Sequence, residues 1–249
     1  MPRDGRTLGL IGFGAFGRFM VPYLAPHFDL CASDLLDIAR PATDLSVRAV
    51  PIEEAARCDI LILAVPVQAL AAVLECIRHA VKPGAVVMDV CSVKIEPMEL
   101  LARELPEAIE LIGLHPLFGP QSGKDGIAGL PIALCPKRAS AARVEELRAF
   151  LRGVLGLEII ETTPEEHDRQ MAYVQGLTHF LSRALASLPL PQTRMSTRAY
   201  ERFLSMKADL HADSLDLFLT IERHNPYAAA ARASLVRALA DVESIITPP

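Results

Sequence analysis

Short aliphatic runs alternate with helix-like segments over the first 160 residues of this chain. Thr7–Ile11, Leu30–Ser33, Ile60–Val65, Ala85–Val90, Leu111–Leu114, Pro131–Cys135 and Leu157–Ile160 are apolar runs of strand length. Between them, Ala15–Leu24, Gln68–Ala80, Pro97–Leu105 and Ala139–Leu151 have helical character, with Pro26 marking the end of the first. Continuous rather than alternating apolarity means strands covered on both faces, so these elements predict a mostly parallel sheet flanked by helices. The strand signals stop after Glu161. Thr163-Pro164-Glu165-Glu166 then opens a helix, with capping-box spacing between Thr163 and Glu166 and proline at the first helical position. That helix is expected to run to about Leu188, before the Pro189–Pro191 breaker. The stretch from Thr197 to Ile246 is helix-like, with interruptions near His211 and at Asn225-Pro226. The fold class is therefore α/β over 1–161, with an all-helical domain over 162–249. A helical segment this short has little room for its own core, and two copies are expected to pair through it as a homodimer.

Composition narrows the function classes. A net charge of -5 without a Lys/Arg-rich run disfavours a nucleic-acid surface. The N-terminus lacks the apolar core of a signal peptide, and the most apolar stretch, Ile60 to Leu74, is interrupted by Pro66 and Gln68. No membrane association is expected. Five cysteines, odd in number and without CxxC spacing, read as packed thiols in a reducing cytoplasm, not as a disulfide frame or metal site. Cys91 is read the same way.

Gly12-Phe13-Gly14-Ala15-Phe16-Gly17 is a GxGxxG element that follows a strand and opens a helix, the context that gives this pattern meaning. Gly12 allows the tight turn, Gly14 the approach of a pyrophosphate and Gly17 close helix–strand packing, while the helix N-terminus offers amide donors to phosphate. Asp34 stands 22 residues after Gly12, at the end of the second strand. Its carboxylate suits a ribose diol and repels a 2′-phosphate, which favours NAD over NADP; Arg40 nearby weakens that preference. Val65 and Pro66, after a later strand, are placed near the cofactor by topology. These features make the α/β domain a Rossmann-type dinucleotide-binding domain.

The segment His115–Gly123, HPLFGPQSG, puts a histidine after an apolar run and inside a Gly/Pro-rich loop. In open α/β folds such a loop lies on the rim where ligands bind, and an imidazole there titrates near neutral pH.

At this point the chain resembles the prephenate/arogenate dehydrogenases of tyrosine biosynthesis over nearly its whole length. The resemblance rests on GFGAFG at Gly12–Gly17, DVCSVK at Asp89–Lys94, HPLFGPQSG at His115–Gly123 and EHDRQMAYVQGLTHF at Glu166–Phe180. It implies oxidative decarboxylation of prephenate to 4-hydroxyphenylpyruvate, with hydride transfer to NAD. His115 would take the ring-hydroxyl proton and must be neutral to do so. Ser92 would hydrogen-bond the same hydroxyl or the nicotinamide amide; it also suits a helix N-cap. His179 would hold a substrate carboxylate, with Gln175 four residues earlier on the same helical face. His167 is read as structural, and Lys94 as a solvated helix residue. No arginine falls cleanly where the family grips the carboxylate, so Lys207, then Arg202, are the candidates. Gln121, neutral beside Gly119-Pro120, offers no charge to the ammonium of arogenate and leans towards prephenate. With no further domain after the helices, any tyrosine inhibition is expected to act at the active site. The alternatives left open are an arogenate or amino-substituted-substrate dehydrogenase, a β-hydroxyacid dehydrogenase of similar plan, and a nucleotide-binding regulatory module without chemistry.

Overall fold

The structure is a computed structural model and describes residues 5–209 and 214–247, the side chains of 207–209 excepted. The chain divides into two compact units, Met1–His167 and Asp168–Pro249.

The first unit runs β1 (Thr7–Ile11), α1 (Ala15–Leu24), β2 (Asp29–Ser33), α2 (Ala39–Asp44), β3 (Arg48–Ala49), α3 (Ile52–Ala56), β4 (Ile60–Leu63) and α4 (Val67–Ile77). It continues with β5 (Val86–Asp89), α5 (Ile95–Glu104), β6 (Glu110–Pro116), β7 (Pro131–Arg138), α6 (Ala141–Gly153) and β8 (Glu158–Glu161). The eight strands form one sheet in the order β3-β2-β1-β4-β5-β6-β7-β8. All neighbours are parallel except β6 and β7. The α/β, mostly parallel reading therefore holds, and its cause is visible in β4. All four of its residues are buried, Ile60 and Ile62 in the core on one face and Leu61 and Leu63 in the core on the other. An element that buries both faces must be apolar throughout.

The apolar pattern missed β3, α2 and α3. They span two to six residues each, and α3 starts on Pro51 without a side-chain cap, so none is long enough to show a period. Gly9 explains where α3 sits. A Cβ on Gly9 would lie 2.1 Å from the Ala55 carbonyl oxygen, so the end of α3 rests on bare β1 backbone. On the other face, residues from β1, β4, β5, β6, α1 and α6 line an apolar cavity of about 90 Å³ that takes in Phe16 and Phe118 but not His115.

Pro164 opens α7 (Pro164–Met171) as expected, and Thr163 Oγ1 accepts from the Glu166 amide at 3.2 Å. Every regular element described in the second unit is a helix. The long α-helix expected to reach Leu188 is broken: α7 passes into a π-helical segment, Ala172–Leu177, and then α8 (Thr178–Ala186). Two features loosen the α ladder there. Gly176 adds backbone freedom inside the segment, and Thr178 Oγ1 donates to the Val174 carbonyl at 2.7 Å. Helices α9 (Arg198–Asp209), α10 (Leu215–His224) and α11 (Ala228–Ile246) follow. The break at Asn225 is present: its Oδ1 accepts from the Tyr227 amide at 2.9 Å while its Nδ2 donates to the Asp168 carbonyl at 2.7 Å. The interruption expected near His211 lies outside the described residues.

Candidate active site

Five parallel strands deliver the candidate residues of the first unit to one edge of the sheet. Gly12 follows β1, Asp34 follows β2, Val65 follows β4, Ser92 follows β5, and His115 sits at the end of β6. This carboxyl edge is where ligands of open α/β sheets bind.

The glycine turn fits a dinucleotide by shape. Gly12 has φ +100, and a Cβ there would lie 2.3 Å from the Ala64 carbonyl oxygen. A Cβ on Gly17 would lie 2.2 Å from the Gly12 carbonyl oxygen, so α1 is pressed against the turn. Gly14, by contrast, is exposed with open space beside it, and it is the N-cap of α1. No acidic side chain occupies the first turn of α1 to oppose a phosphate there. Asp34 accepts from the Phe13 amide at 2.6 Å and from the Leu36 amide at 3.0 Å, one bond to each carboxylate oxygen. Each oxygen keeps a lone pair, so Asp34 can brace the turn and still accept from a ribose. Val65 is half-buried, and a Cβ on Gly12 would meet it at 3.0 Å; Pro66 is exposed at the start of α4.

His115 differs from its expected setting. It is the sixth residue of β6, paired with Ala133 of β7 and buried, not part of the loop. Strand pairing extends through Pro116, which the turn-rich sequence hid. Its Nδ1 lies 2.8 Å from Nε2 of His167, with the rings edge to face. His167, read from the sequence as structural, is carried onto His115 by the start of α7. Burial, His167 and the nearby Lys94 ammonium, in that order, hold His115 well below the usual histidine range.

Lys94 also differs from its expected setting. It is fully buried, not solvated. Its Nζ pairs with Asp89 and donates to the Leu114 carbonyl at 2.7 Å. The space comes from Gly113, where a Cβ would lie 3.0 Å from Lys94 Cδ. Asp89 Oδ1 also accepts from the Cys91 amide at 3.0 Å, whereas Oδ2 has no hydrogen-bond partner. Burial pushes the Asp89 carboxyl up and Lys94 opposes it. The pair ties the turn after β5, which carries Ser92, to the residue before His115. Ser92 does not cap α5: Lys94 takes the N-cap position, and Ser92 lies in the bend two residues earlier, partly exposed. Cys91 is a packed thiol, with burial pushing it far above the usual range.

Gln121 is exposed in a turn after β6. Phe118 anchors this loop from below against Phe19, and Ser122 Oγ accepts from the Gly119 amide at 3.0 Å. In the second unit, His179 is buried in α8 and Gln175 half-buried in the π segment. Their four-residue spacing spans the passage from the π segment into α8. Lys207 falls in α9, but its side chain lies outside the described residues; Arg202 is exposed. Sequence reasoning had one usable signal for Lys94 and His167: each lies inside a quoted motif, DVCSVK and EHDRQMAYVQGLTHF.

A glycine turn after the first strand of a sheet in this order defines a Rossmann-type dinucleotide-binding protein. A sequence model described as the prephenate dehydrogenase nucleotide-binding domain matches residues 38–159, and one described as a TYRAAT1-like C-terminal domain matches 184–247. The chain belongs to the prephenate/arogenate dehydrogenase family. It is 29% identical to arogenate dehydrogenase 2 of Arabidopsis thaliana over 89% of this chain and 64% of that one. It covers 37% of the length of arogenate dehydrogenase 1 of the same plant. It is 28% identical to 4-amino-4-deoxyprephenate dehydrogenase of Streptomyces pristinaespiralis, over 94% of this chain and 82% of that one. Among solved structures it resembles prephenate dehydrogenase from A. aeolicus in complex with hydroxyphenyl propionate and NAD+, with a TM-score of 0.75 at 17% identity. That likeness spans 99% of this chain and 92% of the other.

Proposed function

We propose that the protein is an NAD-dependent dehydrogenase that oxidises and decarboxylates prephenate. The observation that carries the reading is the buried His115–His167 pair at the carboxyl edge of the sheet. Bound NAD supplies the hydride acceptor for the ring carbinol carbon. Gly12–Gly17 and the α1 N-terminus would hold its pyrophosphate. Asp34 takes its ribose diol, which favours NAD over NADP. His115 accepts the hydroxyl proton at Nε2, because Nδ1 is engaged by His167. That role fixes the tautomers: Nδ1–H of His115 donates to Nε2 of His167, which leaves Nε2 of His115 as the proton acceptor. A depressed His115 keeps the base neutral at physiological pH. Ser92, at the end of the adjacent strand, orients the hydroxyl or the nicotinamide amide. His179, with Gln175 and Lys207, is assigned to the substrate carboxylates by the family resemblance.

Gln121, neutral in the loop after His115, favours prephenate. The relatives named for arogenate and for 4-amino-4-deoxyprephenate favour a second reading, in which the substrate carries an ammonium or a ring amine. Steady-state rates on prephenate and arogenate, each with NAD and NADP, test both. Preference for prephenate with NAD is the expected result, and no turnover on either substrate refutes the enzyme reading.

Pairing of two copies through the helical unit belongs to the same proposal. Leu235, Leu239, Val242 and Ile246 of α11 are spaced four, three and four, which puts them on one side of the helix, and the last three are exposed. No described helix is long and apolar enough to cross a membrane, and the unbridged cysteines fit a cytoplasmic setting.

A further inference from the structure

Two of the five cysteines meet at the amino-terminal end of the sheet, away from the glycine turn. Cys31 of β2 is in register with Gly9 of β1. Because Gly9 has no side chain, the end of α3 lies on β1 there. The turn leaving α3, closed by the Cys58 amide donating to the Ala55 carbonyl at 3.3 Å, brings Cys58 to Cys31. The sulfurs are 3.6 Å apart and both residues are buried. Beside Cys58 lies a polar cluster. Thr7 Oγ1 donates to Asp59 Oδ2 at 2.8 Å, the Asp59 amide donates to Thr7 Oγ1 at 3.0 Å, and Lys82 pairs with Asp59 at 2.6 Å. The Asp59 and Lys82 side chains are 38% and 45% exposed, so this cluster borders solvent. The Arg48–Glu54 pair flanks the Cys31 side.

We propose that Cys31 and Cys58 are a modification site: they close to a reversible disulfide when a small two-electron oxidant of the hydroperoxide class reaches them. Sulfurs already in contact need to approach only from 3.6 Å to about 2.05 Å. The thiols share a proton: the Cys31 S–H bond holds Cys58 below the usual thiol range, with Thr7 adding to it, while Cys31 is held above. Cys58 is therefore the attacking sulfur. Its thiolate attacks one peroxide oxygen, the O–O bond breaks, and hydroxide leaves and takes up the proton Cys58 released. Cys31 sulfur then displaces the hydroxyl of the Cys58 sulfenic acid, and its own proton leaves with that hydroxyl as water. The two sulfurs together lose two electrons, and the peroxide is reduced to two waters. Thiol exchange with a dithiol reductant reverses the bond.

The full chain treated with hydrogen peroxide, alkylated under denaturing conditions and mapped by mass spectrometry without reduction provides the test. The expected result is a cross-linked peptide joining Cys31 to Cys58, with both of these thiols closed to alkylation. Dithiothreitol should remove the cross-link, and it should be absent from Cys31→Ser and Cys58→Ser. Exposed Cys76 serves as the internal marker of oxidant dose. Recovery of Cys31 and Cys58 as alkylated thiols after Cys76 has been oxidised would overturn the proposal, as would cross-linking of Cys58 to another cysteine. Wild-type mapping decides the question even where a serine variant fails to fold.

Discussion

Replacing Lys94 with methionine removes one buried charge while keeping a long apolar stem of similar volume. In the wild type the Lys94 and Asp89 side chains are both fully buried, and the ammonium also donates to the Leu114 carbonyl. Without it, Asp89 retains the Cys91 amide at 3.0 Å against the full cost of burying a carboxylate. Breaking a buried pair from one side costs about 3–5 kcal/mol. With roughly 1.4 kcal/mol per decade, that raises the unfolded fraction by about two to three and a half decades. Asp89 in the variant is driven to its neutral form. Its folded value then lies above the unfolded one, so the native state binds the extra proton. The penalty in Lys94→Met should therefore be full above the raised folded value and shrink as pH falls from there towards the unfolded carboxylate range. Urea unfolding followed by far-UV circular dichroism is the assay, since the chain has no tryptophan. Asp89→Leu combined with Lys94→Met should recover most of the loss, because an apolar pair carries no desolvation cost. A loss below about 1 kcal/mol in Lys94→Met, or a double variant no more stable than the single one, would refute the buried-charge argument.

His115→Asn should lower kcat by about 10²–10⁴-fold with NAD affinity unchanged by titration; normal turnover would show that His115 is not the base. His167→Phe should lower kcat with unchanged circular dichroism, and wild-type rates would remove His167 from the mechanism. Because the folded His115 lies below its unfolded value of about 6.5, the acid limb of the kcat/KM profile should fall below that pH. Its stability contribution is complete above about 6.5 and is lost as pH falls through the folded value, since the unfolded state binds the proton first; urea midpoints that stay flat between pH 7 and 5 in the wild type but not in His115→Phe would contradict this. Leu239→Glu should halve the sedimenting mass, and a monomeric wild type would sink the pairing proposal.

The apolar runs determined the sheet, because each strand buried on both faces must be apolar along its length, as β4 is. GFGAFG and Asp34 were legible for a similar reason. A tight turn at φ +100 and a helix pressed against it at Gly17 admit no side chain, and that requirement is written locally. Thr163 and Pro164 likewise marked the start of α7. What the sequence could not determine was the company each polar residue keeps. Lys94 reads as a solvated helix residue until β6 is laid beside it and Gly113 opens the space for its stem. His167 reads as a first-turn residue until α7 brings it to His115, 52 positions away in the chain. The π segment likewise interrupts the long α-helix that the sequence pattern extends from Pro164 to about Leu188. Local patterns record what a backbone position permits. Burial, shared protons and pKa shifts arise between strands and helices far apart in sequence, and only the tertiary structure decides them.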